Sequence, residues 1–334
     1  MTASLESRAA ADATRKRVPD FFIVGAPKCG TTSLYRMLRQ HPRIFMPDLK
    51  EPRFLASDAR AQFEVPPGPG NIPYPETLED YLALFDQARE DQLAGEATTL
   101  YLWSRTAAAS IAELAPNARI IAILREPASL LRSLHLQLLR GRIETESNLR
   151  KALSLESARR EGQHIPASSP RPALLQYSEH VRYVEQLGRY HELFPSEQIL
   201  VLIYDDFCAD NAATLRRVLR FLDLHDDAPI AFTQANVTER TVRSWRLKRA
   251  LRSLTMGEGP TSRAARAAIK LVTTRDMRRG ALRAVDQSVV NAPVPPADER
   301  LMAELRQCFK PEVVALSEYL GRDLVTLWGY ERAS

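Results

Sequence analysis

The 334-residue chain is short of cysteine, lysine and long apolar runs, and each shortage narrows what it can be. Its three cysteines, Cys29, Cys208 and Cys308, stand far apart and form no metal-spaced pair, so no metal site is expected. No stretch approaches the roughly 20 apolar residues of a membrane-spanning helix. The opening residues, MTASLESRAAADATRKR, lack the apolar centre of a signal peptide. A reducing cytoplasm is the expected setting, with residues 1–17 as a flexible tail. Only seven of the 46 cationic residues are lysines, and two of those seven fall at positions 28 and 50.

What the chain does have suits a globular protein of one large domain or two smaller ones: 45% hydrophobic residues, 26% charged, and a net charge of +5. A mild basic excess fits an anionic ligand without demanding one. The excess concentrates in residues 240–283, where thirteen arginines and lysines face only Glu258 and Asp276. Such a run reads as solvated helix faces, or as a clamp on an anionic cofactor or substrate. No aromatic interleaving accompanies it, so a nucleic-acid partner is not expected.

The stretch that organises the rest is FFIVGAPKCGTTSLYRML, residues 21–38. Four apolar residues signal a buried strand, a turn with Gly25, Pro27 and Gly30 follows, and Leu34, Met37 and Leu38 then recur at helical spacing. Strand, glycine loop and helix together present backbone amides and a helix N-terminus to a phosphate. Gly25 and Gly30 keep the spacing of G-x-x-x-x-G-K-[ST], but Thr31 stands where that motif has its lysine, and a lysine sits inside the loop at Lys28. The loop therefore still holds an anion but lacks the cation that a nucleoside-triphosphatase places on the β- and γ-phosphates.

Further along, residues 78–85 have helical spacing. Residues 119–124 (RIIAIL) and 198–204 (QILVLIY) read as buried strands, with helices expected over 128–139, 183–194, 213–222 and 301–320. This alternation predicts an α/β fold, a P-loop-like parallel β-sheet flanked by α-helices, over residues 18–334 as a single domain. Ligands bind at the carboxyl ends of such strands, where the 25–33 loop and the 125–127 turn both fall. Residues 205–206 read as an acidic turn, 141–172 as a helix and mobile lid, and 240–300 as a variable basic helical segment. The strand 119–124 ends in Arg125, where a magnesium-dependent enzyme has Asp, and Ser133 follows eight residues on. Arginine and hydroxyl suit a second phosphate. A nucleotide with phosphates at both ends of its ribose would satisfy both sites.

The motifs together resemble the sulfotransferases that use 3′-phosphoadenosine 5′-phosphosulfate, in particular bacterial members and the heparan-sulfate-type branch. PKCGTTSL at 27–34 is similar to their 5′-phosphosulfate loop, and LREPASLLRSLH at 124–135 to their 3′-phosphate motif. LKEPRFL at 49–55, GEATTLYL at 95–102 and the ending GRDLVTLWGY match further blocks. The resemblance implies the sulfotransferase fold, that nucleotide (and its product, 3′-phosphoadenosine 5′-phosphate) as partner, and no metal. It implies that Lys28, Cys29, Gly30, Thr31, Thr32 and Ser33 surround the 5′ group and that Arg125 and Ser133 hold the 3′-phosphate. Glu51 then matches the general base, with His135 near the acceptor and Arg240 contributing to the cofactor site. In this reading the sulfuryl group passes to a hydroxyl or amine of a small-molecule, sugar or lipid-linked acceptor. Two other readings stay open at this point: a P-loop kinase of a small metabolite, and a nucleotide-binding protein that has lost catalysis.

Overall fold

A computed structural model describes residues 16–60, 73–167, 169, 172–225, 230–231, 240–242, 291–293 and 296–331, with side chains left out at 59–60, 240–242 and 291–293. Its centre is a five-stranded parallel sheet in the order β2-β3-β1-β4-β5, flanked by helices. The strands are β1 (Phe21–Gly25), β2 (Ile44–Phe45), β3 (Leu93–Ala97), β4 (Arg119–Leu124) and β5 (Ile199–Ile203). All four pairings are parallel. Every residue of β1 is buried, which is why that strand carries no polar side chain.

One strand of this sheet has no apolar run behind it. β3 reads LAGEA, and its small residues and single carboxylate give no strand signal. The cause lies in its neighbours. Phe21 of β1 presses so closely on Gly95 that a Cβ there would lie 2.1 Å from the ring. Small residues are the condition for β3 to slot between β2 and β1.

Besides a single helical turn at Ser57–Arg60, the α-helices described are, in chain order, α1 (Thr31–Leu38), α2 (Leu78–Ala83), α3 (Ala107–Leu114), α4 (Pro127–Arg140), α5 (Leu149–Ser154), α6 (Glu156–Arg160), α7 (Tyr183–His191), α8 (Tyr204–Ala209), α9 (Asn211–Phe221), α10 (Glu299–Leu320) and α11 (Leu324–Leu327). α2 begins with a capping box in which Thr77 and Asp80 satisfy each other's backbone amides. α10 ends at Gly321, whose φ of 60° is the left-handed cap expected there.

The structure refines three sequence expectations. The acidic pair Asp205 and Asp206 is the first turn of α8, where the helix dipole favours carboxylates. Within 141–172 the expected helix is present as α5 and α6 and is tied down at both sides, while residues 168, 170 and 171 of the expected lid lie outside those described. Glu144 is buried and takes a bidentate pair from Arg159 at 2.7 and 2.9 Å, plus the hydroxyl of Tyr177 at 3.0 Å. Finally, the 240–300 segment contains two short strands where helix was expected. Arg240–Val242 (β6) pairs antiparallel with Asn291–Pro293 (β7), and β6 runs beside α4. The residues between these strands lie outside those described.

Candidate active site

The turns that leave β1, β4 and β5, together with α4 and α10, enclose a cleft of about 490 Å³. Its floor is the glycine loop. Gly30 caps α1 at a φ of 82°, and a Cβ there would meet the Phe207 ring at 2.8 Å. Only glycine fits both constraints, so the loop is held against α8. α1 then opens with Thr31, Thr32 and Ser33, all on the cleft, and no acidic residue offsets the positive end of its dipole. Lys28 also lines the cleft. Burial, followed by the nearby Arg140 and Arg125, lowers its pKa. An anion placed there relieves that penalty. Cys29 differs from its neighbours: it is fully buried, and its Sγ lies 3.4 Å from the Pro27 carbonyl. Burial pushes its thiol up to about 12, so the side chain packs and does not react.

The second wall comes from β4 and α4. Arg125 donates from Nη1 to the Lys28 carbonyl at 3.1 Å, and its guanidinium lies 4.6 Å from the Tyr204 ring centre. The Tyr183 hydroxyl holds the Arg125 carbonyl at 2.8 Å. Glu126 caps α4 by accepting from the amides of Ala128 and Ser129 at 3.1 and 2.7 Å. Ser129, Arg132, Ser133, Leu136 and Gln137 follow at helical spacing along the cleft. His135 does not join them. It is buried on another face of α4, with Nε2 2.8 Å from the Glu146 carbonyl and its ring 5.8 Å from Tyr177. His135, expected near the acceptor, therefore lines neither cavity, because two residues beyond Ser133 is another phase of the helix. Arg240 lies in β6 beside α4, and its side chain is outside the described residues.

Glu51 completes the site. Its Oε1 accepts from the Thr99 hydroxyl at 2.9 Å, with Lys50 Nζ at 3.7 Å and Arg53 Nε at 3.5 Å. Burial pushes the carboxyl up, but Lys50, Arg53 and Thr99 outweigh it and hold it below its ordinary value. It is therefore ionised at neutral pH. Glu51 and Thr32 line the cleft and also a second cavity, of about 640 Å³, walled by Tyr35, Arg36, Arg39, Gln40, Asp48, Lys50 and Arg53. The carboxylate stands where the two spaces meet.

Sequence reasoning missed several lining residues. Tyr204, Phe207, Cys208 and Asn211 arrive from the helices after β5, and Glu299, Met302 and Arg306 from α10. Arg306 Nε lies 3.7 Å from Glu126, which ties α10 to the cap of α4. No local pattern marks Arg306; only the folded chain brings it 180 residues back. Thr99 sits inside the block at 95–102 and was within reach of the motif reading. Among the described residues, no group of three or more His, Cys, Asp or Glu could hold a metal ion, and no helix is long and apolar enough to cross a membrane.

Comparison with known proteins gives a consistent result. A model of the sulfotransferase family matches residues 19–228. Carbohydrate sulfotransferase 15 of Homo sapiens is 27% identical over 62% of this chain and 44% of its own length. Heparan sulfate glucosamine 3-O-sulfotransferase 3A1 of Mus musculus is 27% identical over 64% of this chain and 48% of its own. The chain thus spans under half the length of these curated relatives. A crystal structure of a sulfotransferase from Alicyclobacillus acidocaldarius superposes with a TM-score of 0.62 at 26% identity, covering 93% of this chain and 99% of that one.

Proposed function

The chain belongs to the sulfotransferase family, and from that premise we propose that it moves a sulfuryl group from 3′-phosphoadenosine 5′-phosphosulfate to a hydroxyl of a sugar-type acceptor. The observation that carries this reading is the meeting of two cavities at Glu51. One is a cleft lined by Lys28, Arg125, Arg132 and Arg306, the other a separate space on the far side of Glu51. The sugar class rests on the carbohydrate and heparan sulfate glucosamine relatives.

In this reading the glycine loop, Lys28 and the N-terminus of α1 hold the 5′ end of the nucleotide, while Arg125 and Ser133 hold its 3′-phosphate. An acceptor hydroxyl entering from the second cavity gives its proton to the Glu51 carboxylate. Its oxygen bonds to sulfur as the bond from sulfur to the bridging oxygen breaks, in line, and charge gathers on the leaving phosphate. Lys28 and the α1 amides are aimed at that charge, which is where preorganised dipoles lower a barrier. Glu51 is ionised before the reaction, so the base needs no prior activation. Lys50 and Arg53 keep it so, at the cost of making it a weaker base.

Calorimetric titration with 3′-phosphoadenosine 5′-phosphate in EDTA tests the donor assignment. Tight binding is expected for the wild type. Lys28→Ala and Arg125→Ala should each weaken it at least tenfold, about 1.4 kcal/mol. No binding under these conditions, with binding of ATP plus magnesium instead, overturns the reading in favour of a kinase.

A further inference from the structure

We infer that Glu96 is the positioning residue for Glu51, fixing through two hydroxyl groups the loop that carries the proposed base. This rests on the role given to Glu51 above. Glu96 lies in β3, opposite Phe22 of β1, fully buried, and it lines neither cavity. Three hydroxyls converge on it. Thr98 Oγ1 donates to Oε1 at 2.5 Å, and the hydroxyls of Tyr81 and Tyr101 donate to Oε2 at 2.6 and 3.0 Å.

A hydroxyl has one proton to give. Once Thr98 and Tyr101 have given theirs to Glu96, their oxygens can only accept. Each then accepts a backbone amide from the loop after Glu51: Arg53 N to Thr98 Oγ1 and Leu55 N to Tyr101 Oη, both at 3.2 Å. The next residue after Thr98, Thr99, holds the Glu51 carboxylate itself. The polarity of the relay is thus set by one buried anion in the rigid sheet. A neutral group at 96 lets the hydroxyls turn and releases the two amides.

The charged and titratable groups around Glu96 are Tyr81 from α2, Tyr101 and Tyr190, and Glu51 and Lys50 from the loop. Burial pushes the Glu96 carboxyl up to about 7; the three hydroxyls oppose that shift and Glu51 adds to it. The relay is therefore complete above neutrality and loosens below it. Glu51, held low, is already ionised there, so the acid limb of activity belongs to Glu96.

Amide hydrogen exchange on the full-length protein, corrected for intrinsic rates, tests this directly in Glu96→Gln. A carboxamide can accept through its oxygen but not through its nitrogen, so one side of the relay is lost. At pH 8 the amide on the lost side, Arg53 or Leu55, should exchange at least tenfold faster than in the wild type, while the affinity for 3′-phosphoadenosine 5′-phosphate changes less than twofold. With glucosamine as the acceptor probe, kcat should fall at least tenfold with the donor KM unchanged, and the acid limb near pH 7 should disappear. A merely structural role lowers activity without moving that limb. Unchanged exchange at Arg53 and Leu55, or an unmoved limb, overturns the inference. If Glu96→Gln does not fold, Thr98→Val must free Arg53 alone and Tyr101→Phe must free Leu55 alone; wild-type exchange in both overturns it. Failure of the wild type to bind the nucleotide refutes the functional reading instead, and is seen separately.

Discussion

At the scale of single residues, the motifs named side chains that the fold gathers in one cleft, but not their directions. Lys28, Thr31, Thr32, Ser33, Glu51, Arg125 and Ser133 all line one cleft, because each belongs to a loop or helix face that the strand ends aim there. His135 faces elsewhere because position along a helix fixes direction: two residues turn it about 200° away from Ser133. Cys29 was named with its loop, yet its side chain points into the core. Glu96 lies in the block at 95–102, but the role proposed for it emerges only once the hydroxyls of Tyr81, Thr98 and Tyr101 are seen around it. Another residue in the cleft offers a direct probe. Cys208 is exposed and lines the cleft, Cys308 is exposed elsewhere, and Cys29 is buried. Bound 3′-phosphoadenosine 5′-phosphate should slow iodoacetamide labelling of Cys208 at least fivefold and leave Cys308 unchanged, as read by peptide mass spectrometry. Equal protection of both thiols, or of neither, counts against nucleotide in this cleft.

At the scale of elements, apolar runs made β1, β4 and β5 legible, and helical spacing did the same for α4 and α10. β3 was not legible, because what shapes it is the Phe21 ring on the neighbouring strand rather than its own propensity. In the segment 141–167, polar composition likewise hides one buried ion pair. Glu144 and Arg159 are 1% and 4% exposed, and the carboxylate also accepts from the amides of Thr145 and Glu146 at 2.7 and 2.9 Å. Burial pushes the Glu144 carboxyl up, and Arg159 with the two amides more than reverses this. Removing one partner leaves a buried charge uncompensated. Arg159→Met should therefore cost about 3–5 kcal/mol in urea unfolding, while pairing it with Glu144→Leu should recover much of the loss. A cost below about 1 kcal/mol for Arg159→Met would mean that this segment is not held by the pair.

At the scale of the whole molecule, the cleft is closed by the far end of the chain. The Tyr330 hydroxyl donates to Glu126 at 2.6 Å, Trp328 Nε1 to Asp205 at 3.0 Å, and Arg322 to Asp206 at 2.5 and 2.7 Å. The segment after α10 thus ties down the turns that follow β4 and β5, the same turns that line the cleft. Glu96 works in the opposite direction. Its carboxyl is raised from an ordinary 4.5 to about 7 in the folded state, so the folded protein binds this proton more tightly than the unfolded chain. The stability that proton contributes is fully present below about pH 4.5 and is lost as pH rises through about 7. Over that window the wild type should lose about 3 kcal/mol relative to Glu96→Gln, measured as the difference between their urea-unfolding free energies at pH 4.5 and pH 8. A difference that stays flat with pH means Glu96 titrates at its ordinary value and carries no burial penalty. If the difference moves as expected, the contribution of Glu96 to stability is lowest where its relay is complete. A destabilising buried anion, kept in the central sheet beside a proposed base, is explained by a gain in position rather than in folding.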